Sequence, residues 1–253
     1  MVTRVEGGRR LTETVGMDRP LVSIITVVFR GHHDLPVLLD SIFRLKGEKV
    51  ELIVVDGGSN DGTCELLRQH DSEIDYWISE ADNGIYDAMN KAIALARGTY
   101  LFHLNAGDRL LSIPIQELEE AAANDIDVAA FRVSVDGRYE FKPSQGFPLR
   151  LNNTLHHQGT FFRRASFPKY DIQYKVFADF DVNQRLALSG AKMAIFNQVI
   201  ALHTTGGVSD IPSRPTVTEF FHVISKNYGR RYLPVAWLLC KWQGFQTRLG
   251  LRR

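Results

Sequence analysis

Two spacings of apolar residues alternate along the first half of this chain. LVSIITVV, residues 21–28, is an unbroken, largely β-branched run, as expected of a strand buried on both faces of a parallel sheet. Beyond it Leu35, Leu38, Leu39 and Ile42 fall at i, i+3, i+4 and i+7, which predicts a helix with one buried stripe and Asp34 as its cap. VELIVVD, residues 50–56, repeats the strand signal, and GGSNDGT leads from it into a short helix at 65–69. A third strand is predicted at 74–78 and a helix at 85–97, stopped by Gly98. TYLFHLN, residues 99–105, reads as the fourth strand. Strands alternating with helices imply right-handed crossovers and a doubly wound, mostly parallel α/β sheet, whose ligands sit beyond the carboxyl ends of the strands.

The pattern changes after Asp108. IDVAAFRVSV, then Asp136-Gly137, then RYEF predicts an antiparallel hairpin closed by a two-residue turn, so the second half is mixed. A helix over about 179–188 ends at Gly190, and KMAIFN returns as a strand. Residues 20–227 read as one domain with halves at 20–110 and 111–227; residues 1–19 form a loose polar leader and 228–253 a C-terminal helix.

Composition narrows the classes. The 253 residues, 44% hydrophobic and 23% charged, suit one globular domain and exclude disorder. A net charge of +1 gives no general reason for a nucleic-acid partner. The two cysteines, Cys64 and Cys240, suggest neither a disulfide nor a thiolate metal site, which fits a reducing cytoplasm. The first nineteen residues lack the apolar core of a signal peptide, and the apolar run at 233–240 is far shorter than the ~20 residues of a membrane span. Beyond Glu219 there is no acidic residue, while Arg230, Arg231, Lys241 and Arg248 interleave with Tyr232, Trp237, Trp242 and Phe245. That segment reads either as a helix on an anionic membrane surface, peripheral on the inner face of the cell membrane, or as a packed helix with a solvated basic face.

Three polar clusters lie at predicted strand ends. Asp56, Gly58, Ser59 and Asp61 form a glycine-rich loop suited to close approach by a ligand, or a tight turn with Asp61 as helix cap. In SEADNGIYDAMNKA, Asp82, Asn83 and Gly84 stand at a helix start and Asn90 and Lys91 on its second turn; Lys91 suits a diphosphate, or is a solvated helical lysine. In HLNAGD, Asp108 could offer a carboxylate to Mg²⁺ or Mn²⁺, or begin a turn.

Taken together, VSIITVVFR, VVDGGSNDGT and SEADNGIYDAMNKAIALARGTYLFHLNAGD resemble family 2 glycosyltransferases of the GT-A fold, particularly bacterial enzymes encoded with exopolysaccharide clusters such as that for colanic acid. HHQGTFFRR, YKVFADFDVNQRL and GGVS extend the resemblance over most of the chain. It implies that 20–110 binds a nucleotide sugar and 111–227 the acceptor, and that the enzyme transfers sugar with inversion from a nucleoside-diphosphate sugar, by family frequency a UDP-sugar. The implied acceptor is a saccharide or an undecaprenyl-linked oligosaccharide of bacterial surface polysaccharide synthesis. By motif position Asp56 contacts the base or ribose, with Thr26, Gly58, Ser59, Asp61, Asn83, Gly84, Asn90 and Lys91 completing the nucleotide site. The family's metal motif falls on Asn105, Ala106, Gly107 and Asp108, so only its last acid survives; Asp108 becomes the metal ligand, with His203 a second candidate. His157 and Gln158 match a positioning pair in a strand-like segment. The catalytic base falls on Asp179, with Asp181 its rival; residues two apart on a helix face different sides. There is neither a GxGxxG after the first strand nor a GxxxxGK[ST] loop, which argues against dehydrogenases and P-loop enzymes. The depleted metal motif leaves a non-catalytic nucleotide-sugar-binding protein as the alternative.

Overall fold

A computed structural model describes residues 4–12, 19–206 and 214–248. The apolar runs become the central strands β2 (Val22–Val28), β3 (Val50–Asp56), β4 (Tyr76–Ser79) and β5 (Tyr100–His103), and the 3.6-residue stripes become α2 (Leu35–Leu45), α3 (Thr63–Gln69) and α4 (Ile85–Leu95). Every residue of β2 and β3 is buried, as unbroken apolar strands require when helices cover both faces. Val28 lies opposite Asp56, and Asp56 opposite Ser79, so these strands end on one edge.

Next come β6 (Arg109–Leu110), α5 (Ile115–Ala123), the hairpin β7 (Val128–Val135) and β8 (Tyr139–Phe141), and α6 (Phe147–Leu151). Asp136 and Gly137 have φ of 51° and 66°, the left-handed conformations expected of the two-residue hairpin turn. Then follow β9 (Thr160–Arg163), α7 (Ala178–Leu188), β10 (Met193–His203), α8 (Arg214–Tyr228) and α9 (Leu233–Arg248). The sheet order is β1-β4-β3-β2-β5-β9-β7-β10-β6, with β8 off β7. β9 runs antiparallel to β5 and β7, whereas β10 runs parallel to β7 with His203 opposite Val135. The carboxyl ends of β2, β3, β4, β5, β7 and β10 therefore share an edge with the start of β9.

Two apolar cores sandwich the sheet: α2, α3 and α5 pack on one face, and α4, α6, α7 and α8 on the other. Side chains alternate between the cores along β2, Ile24 going to one and Ile25 to the other. At the opposite end of the sheet, buried Glu51 accepts hydrogen bonds from the amides of Arg97 (2.7 Å) and Gly98 (3.1 Å). A side chain at Gly98 would sit 2.5 Å from the Ser23 amide, so the chain turns there only because glycine lacks one.

The leader is not loose where it is described. β1 (Val5–Gly7) pairs antiparallel with β4, α1 (Arg9–Thr12) follows, and Arg10 pairs with the buried Glu51 carboxylate. The sequence conceals this because β1 has only three residues and its stability comes from non-local partners.

Candidate active site

The shared edge gathers polar side chains from distant parts of the chain. Asp108, after β5, lies beside His203 at the end of β10, Oδ1 to Nδ1 2.9 Å, although 95 positions separate them. Its Oδ2 accepts hydrogen bonds from Gln158 Nε2 (3.0 Å) and the Asn105 amide (3.0 Å). Burial pushes the Asp108 carboxyl up, but the bonds from His203, Gln158 and Asn105 outweigh it and hold the group below its usual range.

The same network reaches Asp179 in the first turn of α7. Asn105 Nδ2 is 3.1 Å from His157 Nε2, and His157 Nδ1 is 3.5 Å from Asp179 Oδ2. With Asn105 donating to Nε2, the imidazole proton sits on Nδ1, whose 3.5 Å approach to the carboxylate is a polar contact and not a hydrogen bond. Asn153 Nδ2 donates to Asp179 Oδ2 at 2.9 Å and is held in turn by Asn183 at 2.9 Å. Tyr86 of α4 donates to the Val176 carbonyl, while Glu219 of α8 accepts from the amides of Lys175, Val176 and Phe177 at 2.9, 2.8 and 2.6 Å. The entrance to α7 is thus clamped from both halves of the chain.

Asp181, two residues on, points the other way. It is fully buried and bound by Arg185 Nε (2.7 Å), Asn227 Nδ2 (3.1 Å) and Lys226 Nζ (3.3 Å). Helical geometry separates these aspartates: one opens on the edge and the other locks α7 to α8.

The other candidate residues are each held by neighbouring groups, and one expected element differs. Asp56 is fully buried; Oδ2 accepts from the Ser59 amide (2.9 Å) and the Ser79 hydroxyl (2.6 Å), and Oδ1 from the Ser59 hydroxyl. In this geometry it braces the loop. Thr26 is likewise fully buried within β2. Asn90 is engaged with the Tyr170 backbone, both contacts 2.9 Å, and Lys91 with Glu80 (2.9 Å) and the Ala81 carbonyl (2.8 Å). His157 and Gln158 occupy a turn of 3₁₀ helix rather than a strand, and Gln158 serves the Asp108–His203 pair. Asp61 accepts from Thr63 and the His32 amide, as a loop cap. Asn83 and Gly84 stay exposed at the start of α4, Gly84 with φ 116°. Gly58 has φ 79°, and a side chain there would place its Cβ 3.3 Å from the Ala81 amide nitrogen. Of GGVS, residues 207–209 lie outside the described residues.

Three contributors escaped the sequence reading. Phe29, directly after β2, is 62% exposed beside Gly57, with the Arg30 guanidinium 5.2 Å from its ring centroid. An exposed phenylalanine just beyond an all-apolar strand was the available signal. Asn153 and Glu219 had none, because their roles exist only once α6, α7 and α8 are docked.

The sequence profile of Glycosyl transferase family 2 matches residues 23–180, from the first central strand through Asp179. The chain belongs to that family. Over 254 residues this transferase is 28% identical to the PGL/p-HBAD biosynthesis glycosyltransferase of Mycobacterium bovis (strain BCG / Pasteur 1173P2), covering 93% of this chain and 89% of the relative. It is 30% identical over 201 residues to an uncharacterized glycosyltransferase of Mycobacterium tuberculosis (strain ATCC 25618 / H37Rv), covering 74% and 76%. Among solved structures, Staphylococcus aureus TarS superposes with TM-score 0.64 at 14% identity, covering 81% of this chain and 39% of TarS. TarS 1–349 in complex with UDP-GlcNAc superposes at 0.63 and 14%, covering 81% and 66%. These likenesses show the GT-A fold, which the mixed, largely parallel sheet displays.

Proposed function

We propose that this transferase moves a sugar, with inversion, from a UDP-sugar to a saccharide acceptor, free or carried on an undecaprenyl-type lipid, in the cytoplasmic stage of bacterial surface polysaccharide synthesis. The observation that carries the reading is the continuous polar chain from Asp108 through Asn105 and His157 to Asp179, at the edge where strand ends meet. The UDP-GlcNAc complex of the TarS neighbour supports uridine.

Asp179 is the proposed base. Its carboxylate takes the acceptor hydroxyl proton as that oxygen bonds to the anomeric carbon, and the bond from that carbon to the diphosphate oxygen breaks in the same displacement. Asn153 and the Phe180 amide hold the carboxylate in place with His157 alongside, so the contribution is largely preorganisation. Phe29 offers a stacking face for the base beside the loop that Asp56 braces, whereas the Asn83 and Gly84 amides at the start of α4 donate to Asp87 (3.0 Å) and Asp82 (2.8 Å), bonds that a diphosphate would have to displace.

Asp108 and His203 fit a divalent cation. Their 2.9 Å separation is close to the roughly 3.0 Å between neighbouring ligands on an octahedral ion with bonds of about 2.1 Å. The buried Gln158 Oε1 and Asn105 Oδ1 have no hydrogen-bond partner among the described residues and are oxygen donors beside the pair. Among the described residues no cluster of three acidic, histidine or cysteine ligands occurs, so diphosphate oxygens and water would complete the shell. When bound, Mg²⁺ or Mn²⁺ neutralises charge on the departing diphosphate.

Calorimetry of UDP and GDP binding with and without Mn²⁺, on the native protein and Asp108→Asn, tests the donor site. Mn²⁺-dependent UDP binding lost in the variant is expected; absence of nucleotide binding under every condition overturns the reading.

A further inference from the structure

The C-terminal helix presents an apolar surface that the protein does not cover. α9 begins LPVAWLLC; Ala236 is buried and Leu233 packs on the core, but Val235, Trp237, Leu238 and Leu239 are exposed, Trp237 by 51% and Leu238 by 60%. Phe147, at the start of α6, is 55% exposed, and α6 packs against α9. The apolar first turns of α9, residues 233–240, are exposed on most of their circumference and need an apolar surround.

The charges nearby are of one sign. Arg230 and Arg231 are exposed in the turn before α9, and the Lys241 ammonium lies 5.0 Å from the Trp237 ring centroid. No acidic residue follows Glu219 in the sequence. Among the described residues, Arg230, Arg231 and Lys241 pair with no carboxylate. Two copies meeting through this surface would bring like charges together. An anionic bilayer supplies both complements: headgroups meet the cations, Trp237 sits at interface depth, and the apolar residues enter the acyl boundary. No helix among the described residues is long and apolar enough to cross a membrane, so α9 would lie in the interface plane.

We propose that α9 and the tip of α6 dock this transferase on an anionic membrane surface, which brings the Asp179 side of the site to an acceptor carried on lipid. The link to the base is direct. Gln184 of α7 donates to the carbonyls of Leu149 (3.2 Å) and Arg150 (3.1 Å) in α6, and Asn153, just beyond α6, holds Asp179. Docking involves α6, α9 and the turn before it; only the lipid-linked acceptor rests on the function proposed above.

Sedimentation of the full chain with phosphatidylcholine vesicles, with and without phosphatidylglycerol, tests the docking, and UDP binding by calorimetry serves as the fold control. Binding only to anionic vesicles, weakened by salt, is expected. Trp237→Ala with Leu238→Ala should lower the vesicle partition coefficient by at least about tenfold. Arg230→Gln and Arg231→Gln should each lower it by about fivefold. Both sets should leave UDP binding unchanged. A folded, UDP-binding protein that ignores anionic vesicles overturns the proposal. So does self-association abolished by Leu238→Glu without any vesicle binding, which would assign the surface to a second copy. Loss of UDP binding with vesicle binding intact would instead refute the donor reading.

Discussion

Asp179 and Asp181 stand two residues apart, and replacing each with asparagine should separate activity from stability. In Asp181→Asn, Arg185 and Lys226 lose a fully buried anion, bonded at 2.7 and 3.3 Å. Removing one partner of a buried ion pair costs about 3–5 kcal/mol. The remaining cations are 30% and 39% exposed and can rehydrate, which brings the cost below that range, to roughly 2–3 kcal/mol. For a chain of this size that lowers Tm by about 4–12 °C, with turnover near native at temperatures where the variant is folded. In Asp179→Asn the amide retains the size of a side chain that is already partly exposed and hydrogen-bonded by Asn153, so the cost should stay within about 1 kcal/mol. Its turnover should fall by about 10²–10⁴ with UDP affinity unchanged, as expected on losing a general base. Differential scanning calorimetry, UDP titration and acceptor-dependent UDP release give the three readouts. Native-like turnover in Asp179→Asn, or a folded Asp181→Asn without turnover, would refute the assignment.

Phe29→Ala should weaken UDP binding by about 10–100-fold by calorimetry, as loss of a base-stacking face predicts, with Tm unchanged because the ring is exposed. His203→Ala should abolish the Mn²⁺ enhancement of UDP binding while leaving metal-free binding intact, measured by the same titration. Arg10→Met should lower stability by about 3 kcal/mol in urea unfolding, since it strands the fully buried Glu51 carboxylate. His103 is fully buried and neither ring nitrogen has a hydrogen-bond partner among the described residues; burial lowers its pKa from 6.5 to about 3. The unfolded chain takes up that proton near pH 6.5 and the native protein does not, so this contribution to stability falls as pH drops from 6.5 towards 3, by up to about 1.4 kcal/mol per unit. His103→Phe, beside Phe167 and Tyr170, should therefore shrink the stability difference between pH 7 and pH 5 by about 2 kcal/mol in urea unfolding.

Local pattern was sufficient for what depends on local physics. β2, β3 and β5 lie within the predicted strands, with burial on both faces where the runs are unbroken. The Asp136-Gly137 turn and the return of β10 were equally legible, because turn chemistry and residue period act over a few positions. The motifs also indicated which edge would hold the polar clusters, since the carboxyl ends of parallel strands leave backbone groups and loops open there.

Whether each polar residue faces a ligand or the protein interior was decided only by docking of the elements. Asp56 and Asn90 sit in suggestive motifs, yet their side chains are taken up by Ser59 and Ser79 in one case and by the Tyr170 backbone in the other. The Asp108–His203 pair exists because β10 runs parallel to β7 and ends level with it. Asp181 is structural because α8 supplies Lys226 and Asn227. A sequence determines side-chain periodicity through backbone geometry; it leaves open which distant hydrogen-bond partner reaches a carboxylate first, and that contact separates a brace from a base.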